Sequence, residues 1–187
     1  MLQTWGIMPD AVIGHSLGEY SALCISGVIS ASDALFLVGR RAQLLEEHLE
    51  PNTHAMLATA LAPEQLSAAI REVHKTGRAQ ACELACLNGT NATVASGPIA
   101  SSEALRDHLN GQTTRSTLLS VPFSFHSQQV EPILGKFEKL ATADEFKTPI
   151  VPVASSLTGQ VVRTSSMFGP SYLARQSREP VNFVRAL

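Results

Sequence analysis

No run of lysine or arginine occurs in this chain of 187 residues, and 14 basic against 16 acidic side chains leave a net charge of −2. Binding of nucleic acid or of an anionic membrane through a basic patch is therefore not expected. No apolar stretch approaches the roughly 20 residues that a membrane span needs. The N-terminus also lacks the basic-then-apolar order of a secretory signal. Cysteine is scarce, and three thiols are an odd number too sparse for a disulfide framework. A reduced, cytoplasmic protein is expected, with Cys82 and Cys86 as buried thiols on one face of a strand rather than a metal pair. Charge is low as well: 16% charged against 44% hydrophobic residues implies a real core and argues against disorder.

What is present is an α/β rhythm. Residues 1–9 read as a helix tail and turn, and the apolar run from Ala11 to Ile13 as a buried parallel strand. A helix follows from Leu17 to about Gly27. A second is capped by Ser30 or Ser32, with Leu35, Val38, Ala42 and Leu45 as its apolar stripe. From residue 53 to 121 the rhythm becomes strand, helix, two strands joined by a turn at Asn88-Gly89, helix ending the series before a last strand. That βαββαβ order is the ferredoxin-like arrangement. After Pro122 a loop runs into a helix, short strands follow, and "REPVNFVRAL" closes with loop and helix signals. The expected divisions are 1–52, part of a large α/β layer; 53–121, a small insert; and 122–187, a return to the large layer. With one strand before residue 14, such a layer is expected to be cut at both ends.

"GHSLGEY", residues 14–20, invites two readings. Ser16-Leu17-Gly18-Glu19 matches the capping box Ser-x-x-Glu, in which the serine only closes a helix end. Gly14-His15-Ser16-Leu17-Gly18 equally matches G-x-S-x-G, the nucleophile elbow, where a strained strand-to-helix turn requires small residues two before and two after the serine. In that case the helix N-terminus and the N–H of Leu17 favour a developing oxyanion.

A nucleophilic serine needs a base. His48, His54, His74 and His108 fall in helical or polar segments, and His15 lies within the elbow itself. His126, in "VPFSFHS", sits in a loop after a strand among apolar residues and is the leading base.

"GHSLGEYSAL", the arginine of "VGRRAQLLEE" and "VPFSFHS", in this order, resemble the malonyl-CoA:acyl carrier protein acyltransferase family. The resemblance is nearest to the acyltransferase domains of fungal non-reducing polyketide synthases. "HAMLA" and the late "SREPVNF" strengthen it, and it runs over essentially the whole chain. It implies an α/β-hydrolase-like core with a ferredoxin-like insert. It also implies Ser16 as acylated nucleophile, His126 as its activator and Arg41, 25 positions after Ser16, as the grip on the malonyl carboxylate. A planar guanidinium holds a carboxylate through two parallel bonds; the family spacing selects Arg41 over Arg40. His15 and Leu17 belong to the motif, and Phe125 resembles the bulky residue of malonyl-selective members. Coenzyme A thioester and the phosphopantetheine of an acyl carrier protein are the implied substrate and partner, beside neighbouring domains such as a ketosynthase. No metal or bound cofactor is implied.

The family also has an upstream Gly-Gln-Gly turn that supplies a second oxyanion N–H, and no such motif precedes residue 14. The segment whose backbone orients the histidine is expected beyond Leu187. Losing one oxyanion donor costs roughly 100–1,000-fold in rate, so the chain is expected to be a fragment inactive by itself. Two rivals remain. One is an α/β-hydrolase such as a thioesterase, with Asp107 as the acid of a triad. The other is a non-catalytic piece with Ser16 as a plain cap.

Overall fold

The computed structural model describes residues 3–75, 77, 80–143 and 145–187. Residues 1 and 2 of the expected helix tail, and Thr76 near the end of the third helix, lie outside these. Gln3–Trp5 form a single 3-10 turn. Strand β1 (Val12–Ile13) then leads into helix α1 (Gly18–Ile25). Helix α1 stops at Gly27, which takes φ +75°. There Val28 N–H reaches back to the Leu23 carbonyl at 2.9 Å, a left-handed glycine closure.

Helix α2 (Ala31–His48) starts at Ser30, whose Oγ accepts from Asp33 N–H at 3.0 Å while Asp33 Oδ2 accepts from Ser30 N–H at 3.3 Å. The capping box thus sits on α2. Its buried stripe is Leu37, Arg41, Leu44 and Leu45; of the expected Leu35, Val38, Ala42 and Leu45, Leu45 is buried and Val38 packs partly buried against the core. Leu35 is 76% exposed. Apolar residues occupy more than one face of α2. The face turned inward is the one that meets Ile133 and Phe137 of a later helix, within one core cluster.

Next come β2 (His54–Thr59), α3 (Pro63–Lys75), β3 (Glu83–Gly89), β4 (Ala92–Pro98), α4 (Ile99–Gly111) and β5 (Ser116–Leu119). The four strands form one antiparallel sheet in the order β3-β4-β2-β5. Strand alternation gives the sheet two apolar faces. Leu57 points into a cluster with Leu66, Leu105 and Leu109 of α3 and α4. Met56 points the other way, toward Phe125 and Phe183. The second face is what sets this sheet against the functional loops.

Two local expectations fail here. The β3–β4 turn lies at Thr90-Asn91, because Asn88 and Gly89 continue the strand and Gly89 pairs with Ala92. Neither Thr90 nor Asn91 has positive φ, and register shifts between Leu84/Cys86 and Leu87/Gly89 take up the difference. The first of those shifts lies between the two thiols. Cys82 joins the helix-covered face and Cys86 the opposite one. Burial pushes both up, Cys86 to about 11.

The chain closes with α5 (Glu131–Ala141), β6 (Val153–Ser155), β7 (Gln160–Val162), α6 (Pro170–Arg178) and α7 (Phe183–Ala186). Strand β6 lies parallel to β1, with Val12 beside Val153, and antiparallel to β7. Between α6 and α7 an extended strap ties the two sheets together. Leu87 N–H donates to the Val181 carbonyl at 2.8 Å, Val181 N–H to Ala85 at 2.9 Å, and Asn182 N–H to Ser156 at 2.6 Å.

Candidate active site

The turn between β1 and α1 is built on one glycine. A Cβ on Gly14 would lie 2.2 Å from the Gly18 carbonyl oxygen and 2.4 Å from Glu19 N, both immovable backbone. Gly18 itself has nothing within 4 Å of such an atom, so only the first glycine is sterically required. Ser16 at the apex takes φ +52°, a left-handed state that costs a non-glycine residue roughly 1–3 kcal/mol. It persists because its neighbours tie it down. The Ser16 carbonyl accepts from Glu19 N–H at 3.0 Å and from Gln176 Nε2 of α6 at 2.8 Å.

This geometry overturns the capping-box reading of Ser16. The N-cap of α1 is Leu17, with no side-chain cap bond. Glu19, fully buried, turns away and accepts from Ser156 Oγ at 2.8 Å and from the Tyr172 hydroxyl. Burial raises its carboxyl, opposed by those hydrogen bonds. The hydroxyl of Ser16 is left for another partner.

That partner is His126. Ser16 Oγ lies 2.8 Å from His126 Nε2, across 110 positions of sequence. His126 is 1% exposed and also left-handed, at φ +57°. Its Nδ1 lies 3.0 Å from the main-chain carbonyl of Glu179. A carbonyl only accepts, so Nδ1 carries the proton and Nε2 presents a lone pair to the serine. Burial first, then the nearby Arg41 charge, lower the His126 pKa to about 4, so the imidazole is neutral at pH 7. The orienting group expected beyond Leu187 is therefore within the chain, at Glu179. It left no side-chain signal because the main chain supplies it. Gln176 was likewise unread in the sequence; its place four residues after Tyr172 on α6 is the one local hint. Asp107 is on α4, exposed and paired with Arg106 at 2.9 Å; the partner of His126 Nδ1 is the Glu179 carbonyl, not Asp107.

Ser16, Arg41 and Phe125 line one cavity of about 220 Å³, walled by Leu17, Val38 and Leu45. Arg41 is 4% exposed, its Nε has no hydrogen-bond partner, and its guanidinium carbon sits 5.7 Å from the Phe125 ring centre. Burial lowers its pKa while Tyr20 opposes the shift, and an arginine remains charged regardless. A buried cation without an anion carries a cost of several kcal/mol unless a ligand supplies the counter-charge. The N–H of Leu17 donates to no acceptor among the described residues, and Leu17 lines the same cavity. His15 is exposed, bonded to Asn88 Oδ1 at 2.7 Å and edge-on to Phe183 at 5.2 Å. It joins the elbow to β3 and does not line the cavity. Among the described residues no group of three His, Cys, Asp or Glu side chains could hold a metal ion. No helix there is long and apolar enough to cross a membrane.

A sequence model of the acyl transferase domain matches residues 1–187. The chain is 48% identical over 185 residues to a non-reducing polyketide synthase, stmB, of Aspergillus ustus, covering 99% of this chain and 9% of that protein. It is 46% identical to the norsolorinic acid synthase stcA of Emericella nidulans, covering 100% and 8%. The chain thus spans less than a tenth of these relatives. Among solved structures it resembles the acyltransferase domain from the second module of the salinomycin polyketide synthase. There the TM-score is 0.86 at 34% identity, over 98% of this chain and 41% of that one. It also resembles FabD of Acinetobacter baumannii, with TM-score 0.90 at 26% identity over 98% and 59%. The fold, with its mixed α/β sheets, is that of an acyltransferase domain.

Proposed function

The chain belongs to the acyl transferase domain family, and from that premise we propose that it moves a malonyl group from coenzyme A to the phosphopantetheine thiol of an acyl carrier protein. The observation that carries this is the shared cavity. A hydroxyl already bonded to a neutral imidazole shares a cavity with a buried arginine that has no acidic partner among the described residues. Malonyl differs from acetyl by the carboxylate that Arg41 lacks.

In the proposed cycle Ser16 Oγ attacks the thioester carbon as His126 Nε2 takes its proton. The oxyanion is met by the Leu17 N–H, the C–S bond breaks, and His126 returns the proton to the coenzyme A sulfur. The malonyl-serine ester is held by Arg41. The carrier-protein thiol then gives its proton to His126 and attacks the ester, and the proton finally returns to Ser16 Oγ. The Nδ1–H bond to Glu179 keeps the imidazole in the tautomer both half-reactions need. Phe125 crowds the α-carbon and selects malonyl.

In this reading β1, β6 and β7 belong to an α/β-hydrolase-like core. Residues 53–121 form a ferredoxin-like subdomain whose strand order fits that arrangement, flanked by 1–52 and 122–187 of the large part. The parent protein is a cytoplasmic polyketide synthase, with a ketosynthase and a carrier protein as neighbours.

The test is intact mass after mixing the chain with malonyl-CoA. A gain of one malonyl group, lost in Ser16→Ala, supports the reading; no gain from this chain and none from a longer folded acyltransferase domain that includes it removes it. Measuring free malonate against malonyl carrier protein separates transfer from hydrolysis.

A further inference from the structure

His126 holds a left-handed backbone in a loop, and the peptide groups just before it are held by side chains. Ser124 N–H donates to Gln129 Oε1 at 2.6 Å. The Ser124 carbonyl accepts from Ser127 Oγ at 2.6 Å, and the Phe125 carbonyl from Ser96 Oγ of β4 at 3.0 Å. Gln129 is the member that reaches beyond the loop. Only 8% exposed, it donates through Nε2 to Thr53 Oγ1 at 3.2 Å and to the Glu50 carbonyl at 3.4 Å. Glu50 lies two residues beyond the end of α2, the helix that carries Arg41. One buried carboxamide, with its donor and acceptor both engaged, thus ties the histidine loop to the arginine helix.

We propose that Gln129 is a positioning residue, holding the His126 loop in register with the end of α2 so that Nε2 stays within hydrogen-bond reach of Ser16. The inference deepens the acyltransferase reading and rests on it for His126 as base. The physical reason is that a left-handed residue relaxes unless its flanking peptides are held. A single shift near 1 Å at such a base costs on the order of 100-fold in rate. A thioether in place of the carboxamide fills the same space but leaves Ser124 N–H and the Glu50 carbonyl without that partner.

The test uses a probe that reports on the dyad without any acyl donor. The rate at which a fluorophosphonate labels Ser16 is followed by intact mass between pH 4 and 8. In parallel, His126 is titrated by imidazole NMR. Gln129→Met is expected to label about 10–100-fold more slowly. Its His126 midpoint should move up from about 4 toward 6.5 as water reaches the ring, which is now buried and feels Arg41, His15 and the main chain of Glu179 and Gln176. Gln129→Glu keeps an acceptor for Ser124 N–H and should recover part of the rate. Leu109→Ala, in the helix-covered cluster of the four-stranded sheet, loosens the fold elsewhere and should change neither quantity per folded molecule.

Wild-type rate and titration in folded Gln129→Met would overturn the proposal, as would equal losses in Leu109→Ala. A wild-type chain inert to the fluorophosphonate would overturn it too, since there would be no dyad to hold. Labelling by the fluorophosphonate with none by malonyl-CoA, in this chain and in a longer acyltransferase domain that includes it, would instead remove the acyltransferase reading and leave the role of Gln129 standing.

Discussion

The Nδ1 of His126 and the main-chain carbonyl of Glu179 lie 3.0 Å apart. A peptide group thus does the orienting that a carboxylate performs in a Ser-His-Asp triad. A carbonyl fixes the tautomer and the ring plane but carries no full charge. An imidazolium formed beside it is less stabilised than beside a carboxylate, which accords with a proton that is handed on quickly to a thiolate.

His126 sets a pH dependence. Its pKa falls from 6.5 to about 4 in the fold, chiefly through burial. The folded chain therefore binds fewer protons than the unfolded chain between these values, and stability drops as pH falls through that window. The loss amounts to about 3 kcal/mol in total. Urea melts between pH 4 and 7 should show it, and His126→Gln should remove it. The acid limb of acylation should fall near pH 4; a limb near 6.5 would contradict a buried neutral base.

Arg41→Ala should weaken malonyl transfer by about 2–5 kcal/mol, the usual cost of truncating a buried charge pair. Acetyl transfer, which brings no carboxylate, should change far less. Steady-state kinetics with both thioesters decide this, and equal losses would remove Arg41 from the role.

Phe125→Ala should relax selectivity for the α-carbon. The ring lines the cavity beside Ser16 and Arg41, and one methyl group in such a pocket is worth about 1–3 kcal/mol. Competition between malonyl-CoA and methylmalonyl-CoA, read by mass on Ser16, should shift toward the methylated donor by that amount.

The two elbow glycines should behave oppositely. Gly14→Ala drives a Cβ into the backbone of Gly18 and Glu19, and thermal melts should register a loss of about 3 kcal/mol or more. Gly18→Ala meets nothing. It should be neutral or stabilise α1 by roughly 0.5 kcal/mol through reduced unfolded-state entropy.

The sequence by itself determined whatever depends on near neighbours. A serine cap at Ser30 or Ser32, the stop at Gly27, the strand-turn-helix context of Ser16 and the βαββαβ order were all legible, because caps, glycine conformations and side-chain periods act within a few residues. Ser16, His126 and Arg41 were likewise legible as candidates; in the fold Ser16 Oγ lies 2.8 Å from His126 Nε2 and shares a cavity wall with Arg41.

Tertiary structure decided the rest. Periodicity could not choose which face of α2 turns inward, because that depends on α5, and so the burial of Arg41 was unread. Asn88-Gly89 has the local chemistry of a turn, yet its register with β4 carries it into the strand. Ser16-x-x-Glu19 has the letters of a cap, yet the left-handed turn sends the serine to His126 and the glutamate to Tyr172. Glu179 and Gln129 were missed for a common reason. One acts through its carbonyl and the other through contacts 5 to 79 positions away, and neither kind of bond leaves a local pattern in a chain of letters.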